Sequence, residues 1–192
     1  MSISNDSKPV VSSLADPGAL GLGAFALTTF VLSMANANLV PGAGATVLGL
    51  ALFYGGIVQV VAGIWEFARG NTFAATAFCS YGAFWLAFWF LITSGNKIDE
   101  AGVGVFLLAW TIFTAYMTIG AIKTNGVILA VFVALTLTFL FLSLGAFTGQ
   151  AALSRVGGYL GLLTALFAWY GSAATVVNST FKRVVLPVMP AK

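Results

Sequence analysis

The sequence predicts an all-α membrane protein with six transmembrane helices, and three observations lead to this prediction. Of the 192 residues, 60% are hydrophobic and only 7% are charged. A soluble domain carries about 25% charged residues, so this chain could not cover its own surface with polar groups. The apolar residues form six runs, each long enough to cross the roughly 30 Å hydrocarbon core of a bilayer. The runs do not alternate polar with apolar residues and exceed the length of a barrel strand, which argues against a β-barrel.

Turn-forming residues separate the six runs and place their boundaries. Pro41-Gly42, Gly70-Asn71 and Asn125-Gly126 are among these separators. Such short loops force neighbouring helices to be antiparallel. The predicted helices span roughly 18–39, 44–67, 72–94, 102–122, 126–147 and 155–177. We therefore expect a six-helix transmembrane domain over 18–177, between an N-terminal tail (1–17) and a C-terminal tail (178–192).

The lysines and arginines predict the orientation of the helices. Cytoplasmic loops carry an excess of these residues. Six of them fall on the side of the two tails and two on the other side, so we expect both tails in the cytoplasm of a multi-pass cell-membrane protein. The six are Lys8, Arg69, Lys123, Lys182, Arg183 and Lys192, and the two are Lys97 and Arg155.

Helices one, three and five share a weak repeat. Each begins after a residue that can cap a helix, and a large apolar or aromatic residue follows some eight to ten positions later. The caps are Asp16, Asn71 and Asn125, and the large residues are Phe25, Tyr81 and Leu135. The repeat predicts three helical hairpins about a pseudo-threefold axis. Because large apolar residues occur throughout such helices, chance spacing is the alternative.

Polar residues are concentrated in and beside helices two and three. A polar side chain in hydrocarbon costs free energy unless it has a partner or faces water, so this concentration indicates a lined pathway. Gln59 faces a pathway or bonds across helices, with both readings open. Other hydroxyls and amides of this kind are Thr28, Asn71, Thr72 and Thr76. Helix starts at Asn71 and Asn125 would also present free N–H groups to an anion.

Glu66 is the acid that lies well inside a predicted helix, one turn from the cytoplasmic end of helix two. Two interpretations are open for it. Arg69 lies three residues further on, where an ion pair at the membrane interface is available. Otherwise Glu66 serves proton coupling or gating of a pathway.

Three glycines spaced seven apart, Gly49, Gly56 and Gly63, predict a small-residue stripe on one face of helix two. Such stripes let membrane helices pack closely. We expect a tight seam along this stripe, within the chain or between subunits, and generic helix packing is the alternative.

The composition also excludes several function classes. The chain has no histidine and a single cysteine, Cys79. A Ser–His pair, a histidine metal site and an internal disulfide are therefore impossible, and neither a phosphate-binding glycine loop nor a metal-ligand spacing is present. The net charge of +3 is scattered over segment ends, which gives no nucleic-acid surface. We predict no enzyme activity, no metal and no cofactor.

The stretch FYGGIVQVVAGIWEFARGNTFAATAFCSYGAFW closely resembles the signature region of the acetate uptake transporters, which include the succinate–acetate permeases. A second match is the start of helix one, Asp16-Pro17-Gly18-Ala19-Leu20-Gly21-Leu22, which resembles the family motif Asn-Pro-Ala-Pro-Leu-Gly-Leu. The closing TFKRVVLP is also similar, so the likeness spans roughly 16–187. Asp16 and Ala19 depart from the motif. Asp16 would still cap the helix, but its negative charge would repel an anion at the cytoplasmic mouth.

The resemblance implies a homohexamer in which each protomer holds its own pore for acetate, related small monocarboxylates and, in some members, succinate. It implies that Phe25, Tyr81 and Leu135 narrow the pore and that Ala168 on helix six limits substrate size. Family members are described both as proton-coupled carriers and as anion channels. Two other classes stay open: a channel for formate, bicarbonate or ammonia, and a membrane scaffold or sensor that transports nothing.

Overall fold

The computed structural model describes residues 14–190, and in this part of the chain six helices are long and apolar enough to cross a membrane. This confirms the predicted all-α membrane fold. The helices are α1 (Gly18–Asn36), α2 (Ala43–Ala68), α3 (Thr72–Thr93), α4 (Glu100–Ala121), α5 (Gly126–Thr148) and α6 (Ala151–Phe181). Helix α6 continues beyond the predicted limit at 177, so the C-terminal tail begins later than expected. Residues 1–13 of the predicted N-terminal tail lie outside the described residues.

The six helices form a ring in which each packs against its neighbours along the chain and α6 returns to pack against α1. The seam between α3 and α4 differs from the others because few backbone atoms approach there. Aromatic side chains fill it: the ring of Phe84 lies 5.6 Å from that of Phe106 and 5.2 Å from that of Trp110. Because the α3–α4 seam differs from the other seams, the pseudo-threefold arrangement of three hairpins stays a prediction.

Helices α1, α3 and α5 begin at the same end of the ring, and at each start a side chain accepts from a backbone N–H of the first turn. Asp16 Oδ1 accepts from the Gly18 N–H at 2.8 Å, Asn71 Oδ1 from Ala74 at 3.2 Å, and Asn125 Oδ1 from Ile128 at 2.9 Å. Each cap satisfies a backbone donor that the helix itself leaves free. We call this end of the ring the Asn71 end, and the opposite end, where α4 begins, the Glu100 end.

Helix α2 contains a π-helical segment, Phe53–Val58, between two α-helical parts. A π-turn holds more residues than an α-turn, so positions before and after the segment lose their regular spacing. The predicted glycine stripe is therefore only partly present. A β-carbon on Gly63 would lie 2.5 Å from Cys79 Sγ, whereas one on Gly49 would meet nothing within 4 Å. Gly56 and Gly63 belong to the seam with α3. Gly49 faces open space within the chain, so a seam between subunits stays a prediction at that position.

The segment after α6 folds back across the Asn71 end. The Asn178 side chain accepts from the N–H groups of Val185 and Leu186 at 2.7 and 2.9 Å. Further along, the Gly126 N–H at the start of α5 donates to Met189 O at 2.8 Å. The chain from 182 to 190 is thus attached to both α5 and α6.

Candidate functional site

Three buried side chains from alternate helices meet near the middle of the ring: Phe25 of α1, Tyr81 of α3 and Leu135 of α5. They are 5%, 3% and 3% exposed and belong to one hydrophobic cluster. The rings of Phe25 and Tyr81 lie 5.6 Å apart. We call these three residues the partition, because a cavity lies on each side of them.

A cavity lies on each side of the partition, and Phe25 and Leu135 line both cavities. The cavity toward the Asn71 end measures about 20 Å³ and is also lined by Leu22, Gln59 and Val131. By volume it has room for about one water molecule. The cavity toward the Glu100 end measures about 260 Å³ and extends to Asn36, Ile98 and Ser154. The partition thus separates a small cavity deep in the ring from a larger one toward its Glu100 end.

Helix α4 fixes the position of Tyr81. The Tyr81 hydroxyl lies 2.9 Å from Thr114 Oγ1, and Thr114 in turn donates to Trp110 O at 2.7 Å. Aromatic rings also surround Tyr81, with Phe113 edge-on at 5.5 Å. A buried tyrosine hydroxyl needs such a partner. Sequence reasoning missed Thr114 because it lies 33 residues from Tyr81 and looks like any other helix threonine.

Gln59 lines the smaller cavity and is fully buried. Neither its amide nitrogen nor its amide oxygen has a hydrogen-bond partner among the described residues. Of the two readings open from the sequence, the cross-helix bond is not formed. An unpaired buried amide costs free energy. Gln59 follows the π-helical segment directly, and its N–H bonds to Tyr54 O in the wider π pattern.

Glu66 is buried at the Asn71 end, within reach of a three-residue charge cluster. Arg69 Nη1 lies 2.8 Å from Asp16 Oδ1 and 3.8 Å from Glu66 Oε2. The expected Glu66–Arg69 contact is present, but Arg69 binds Asp16 more closely. The guanidinium offsets part of the negative charge that was expected to make Asp16 repel an anion. Glu66 Oε2 is buried without a hydrogen-bond donor among the described residues.

The helix starts differ in what they offer to an anion. At α5, the Gly126 N–H donates to Met189 O and the Ile128 N–H to Asn125 Oδ1. Two of the N–H groups expected to be free at Asn125 are therefore occupied, one by the C-terminal segment and one by the Asn125 cap. At α3, Asn71 and Thr72 are exposed, and Asn71 caps the helix only through Ala74.

The remaining candidate residues lie as follows. The Thr28 hydroxyl donates to Ala24 O at 2.9 Å, and the Thr28 side chain occupies the space where a β-carbon on Gly55 would lie. This packing against α2 accounts for Thr28, whereas the neighbouring Thr29 lines the larger cavity. Thr76 is half-buried on α3. Ala168 is fully buried on α6 and belongs to the same hydrophobic cluster as the partition.

Comparison with known proteins identifies relatives of the whole domain. The model of the GPR1/FUN34/yaaH family matches residues 3–191. The succinate-acetate/proton symporter SatP of Escherichia coli K12 is 38% identical over 180 residues, which cover 91% of this chain and 95% of SatP. A solved structure described as the bacterial acetate channel SatP superposes with a TM-score of 0.87 at 37% identity, covering 91% of this chain and 99% of that one.

A fungal relative extends the comparison. Ammonia transport outward protein 2 of Saccharomyces cerevisiae is 44% identical over 182 residues, which cover 88% of this chain. The chain spans only 64% of the length of that protein. The names of these relatives are those of transporters and a channel, in agreement with a chain that carries no enzyme motif.

Proposed function

The chain belongs to the GPR1/FUN34/yaaH family, and from this we propose that it carries acetate and related small monocarboxylates across a membrane, through the path inside its own six-helix ring. The observation that supports this most directly is the partition of Phe25, Tyr81 and Leu135 between two cavities. An apolar barrier can contact the methyl group of acetate, and it hinders ions that have no apolar part and keep their full hydration shell. The names of SatP as an acetate symporter and an acetate channel support the same substrate class. Succinate, a dicarboxylate, would pass through the same path.

The Asn71 end faces the cytoplasm in this proposal, and the membrane is the plasma or inner membrane. Among the described residues, cationic side chains at this end outnumber those at the Glu100 end. They are Arg69, Lys123, Lys182 and Arg183, against Lys97 and Arg155. This imbalance follows the positive-inside rule and puts both tails in the cytoplasm.

An acetate ion would pass from one polar group to the next on its way through the ring. At the Asn71 end, Asn71 and Thr72 are exposed at the start of α3, where the helix dipole attracts an anion. Deeper in the ring, the unpaired Gln59 amide would donate to the carboxylate beside the partition. Thr76, half-buried on α3, would add a hydroxyl between these two points. The methyl group would then cross among Phe25, Tyr81 and Leu135.

The assembly is a homohexamer in this proposal, with one path in each protomer. Many large apolar side chains point out of the ring, among them Phe53, Ile112 and Ile119, which are 63%, 62% and 70% exposed. Lipid would cover some of these side chains, and neighbouring protomers would cover the others. The path itself needs no second protomer, because α1, α3 and α5 of one chain supply the whole partition.

The size filter is tested by widening the partition. Replacing Leu135 by Ala should admit longer monocarboxylates such as lactate into liposomes that contain the purified protein, because the variant removes most of one wall. Ala168→Gly should act in the same direction, more weakly. Leu137→Ala is the matched control: Leu137 lies two residues further along α5 and is 39% exposed. Unchanged selectivity of Leu135→Ala would reject the filter.

Other small solutes are tested by competition. Formate, bicarbonate and ammonium are each added to an uptake assay with labelled acetate. We expect formate to compete weakly, because it lacks a methyl group to bury in the partition, and ammonium not to compete. Stronger competition by ammonium than by propionate would instead favour the activity named for the fungal relative. A protein in liposomes that moves none of these solutes would favour a scaffold or sensor.

A further inference from the structure

Helix α3, which carries Tyr81, is held differently on its two sides. Toward α2 the backbones approach closely: a β-carbon on Gly82, the residue after Tyr81, would lie 2.9 Å from the backbone nitrogen of Val60. Toward α4, few backbone atoms approach and aromatic side chains fill the seam. Among the described residues, the only side-chain hydrogen bond across that seam joins Tyr81 to Thr114. The backbone of Tyr81 is therefore fixed by α2, whereas the direction of its hydroxyl depends on α4.

The partners of Thr114 determine the direction of this bond. A threonine hydroxyl has one hydrogen, and Thr114 donates it to Trp110 O at 2.7 Å. Thr114 Oγ1 therefore accepts from the Tyr81 hydroxyl, at 2.9 Å. Tyr81 is 3% exposed and Thr114 is fully buried. Loss of the Thr114 oxygen would leave a buried phenol without its acceptor, which costs free energy.

A second polar contact attaches the same part of α4 to α5. One turn beyond Thr114, the hydroxyl oxygen of Thr118 lies 3.0 Å from that of Thr136. Thr136 directly follows Leu135 in the sequence. Helix α4 thus connects the hydroxyl of Tyr81 on α3 with the part of α5 that carries Leu135, and both of these residues belong to the partition.

We infer that Thr114 determines the width of the partition, and with it the size of the monocarboxylate that passes. While Thr114 Oγ1 accepts from Tyr81, the Tyr81 ring stays 5.6 Å from that of Phe25 and the partition is narrow. When the bond is lost, the ring leaves this position, because the phenol needs another acceptor and its backbone is fixed on α2. Thr114 lines neither cavity, so it is a positioning residue that acts through Tyr81. The inference rests on the proposed function, since it concerns what passes the partition.

Uptake of labelled lactate and labelled acetate into liposomes that contain the full chain tests this inference, with the lactate-to-acetate ratio as the readout. If lactate passes only after the ring has moved, the ratio follows the fraction of protein in that state. Thr114→Val keeps the shape of the side chain and removes the acceptor. We expect the ratio to rise about tenfold, because a buried donor without a partner shifts a two-state equilibrium by that much.

Two variants of α4 serve as controls. Thr114→Ser keeps the accepting oxygen and should keep the parent ratio. Thr111→Val also removes a buried hydroxyl, but the Thr111 hydroxyl donates within α4, to Leu107 O at 2.9 Å. It should keep the parent ratio as well. A general loss of stability lowers the uptake of both acids together, so the ratio separates the positioning of Tyr81 from the folding of the protein.

A double variant shows whether the effect of Thr114 passes through the bond. Tyr81→Phe removes the hydroxyl together with the bond and leaves no unpaired donor, so the ratio should rise less, about twofold. Adding Thr114→Val to Tyr81→Phe should then change the ratio no further.

Three outcomes would overturn the inference: a parent-like ratio in a folded Thr114→Val variant, an equal rise in Thr111→Val, or an equal effect of Thr114→Val with and without the Tyr81 hydroxyl. Folding is checked by elution in detergent. If Thr114→Val does not fold, Tyr81→Phe decides alone: the expected rise supports the inference and a parent-like ratio overturns it. None of these outcomes counts against acetate transport, which is measured on the parent with acetate alone.

Discussion

At the scale of single residues, the position of Tyr81 depends on a partner from another helix. The Tyr81 hydroxyl is buried at 2.9 Å from Thr114 Oγ1. Replacing Thr114 by Val should lower the free energy of unfolding by about 1–3 kcal/mol, because it leaves the phenol unpaired. In a Tyr81→Phe background the same replacement should cost much less. Thermal unfolding of the two single variants and the double variant in detergent measures this difference. Equal costs in both backgrounds would mean that the bond does not hold Tyr81.

Glu66 carries the second residue-scale prediction. In the cluster at the Asn71 end, Glu66 shares Arg69 with Asp16, and Arg69 lies closer to Asp16, at 2.8 Å against 3.8 Å. If Glu66 takes up and releases a proton during transport, Glu66→Gln should flatten the dependence of acetate uptake on pH while the protein stays folded. Glu100→Gln, at the exposed opposite end, is the matched control and should keep the parent profile. A parent-like profile for Glu66→Gln would leave Glu66 as part of an interfacial ion cluster.

Some of these residues could be predicted from the sequence and others could not. Phe25, Tyr81 and Leu135 were found because they recur at similar depths and match a known family motif. The closeness of Arg69 to Asp16 was missed, because sequence spacing favours Glu66 three residues away, and the Asp16 contact crosses from α2 to the chain before α1. Thr114 was missed for the same reason. Its significance depends on neighbours from other helices, which spacing along one helix does not report.

At the scale of elements, the close seam between α2 and α3 requires glycine at position 63 but not at position 49. A β-carbon on Gly63 would lie 2.6 Å from the backbone nitrogen of Cys79, which cannot move without moving α3. Gly63→Ala should therefore destabilise the protein by about 1–3 kcal/mol through overpacking. Gly49→Ala is the control on the same helix. It meets nothing within 4 Å and should stabilise α2 by up to about 1 kcal/mol. Thermal unfolding of both variants in detergent measures the two effects, and equal changes would contradict the packing described for α2.

The six helices themselves could be predicted, because apolar runs of this length have few alternatives in a membrane. The π-helical segment Phe53–Val58 could not be predicted, because its residues continue the apolar run. A hydropathy pattern does not change where a single helical turn is wider. That single turn lies between Gly49 and Gly63 and changes their spacing around the helix. The hydrogen bond between the C-terminal segment and α5 was also missed, because it joins Gly126 to Met189, which lies far along the chain.

At the scale of the whole molecule, the order of the helices in the ring brings the three residues of the partition together. Neighbouring helices pack in chain order and α6 closes on α1, so alternate helices direct Phe25, Tyr81 and Leu135 to the same level. Backbone contacts are fewest at the α3–α4 seam, where aromatic side chains fill the space. The order of the ring follows from short loops and could be expected. The wide seam could not, because it depends on how large side chains interlock.

Transport driven separately by voltage and by a pH gradient distinguishes an anion channel from a proton-coupled carrier. Acetate flux that follows voltage without proton movement is expected of a channel. Flux that needs a proton gradient and is lost in Glu66→Gln is expected of a carrier. Liposomes with a membrane potential set by potassium and a trapped pH dye make both measurements on one preparation.

The central claim is that acetate crosses inside the ring, through the partition. Uptake of labelled acetate into liposomes is compared for the parent, for Leu135→Trp and for Leu137→Trp, with the folding of each variant checked by its elution in detergent. We predict faster uptake by the parent than by empty liposomes, loss of that uptake in Leu135→Trp, which fills the partition, and parent-like uptake in Leu137→Trp, whose side chain is 39% exposed. Parent-like acetate uptake by a folded Leu135→Trp variant, or no uptake by the parent, would contradict the claim.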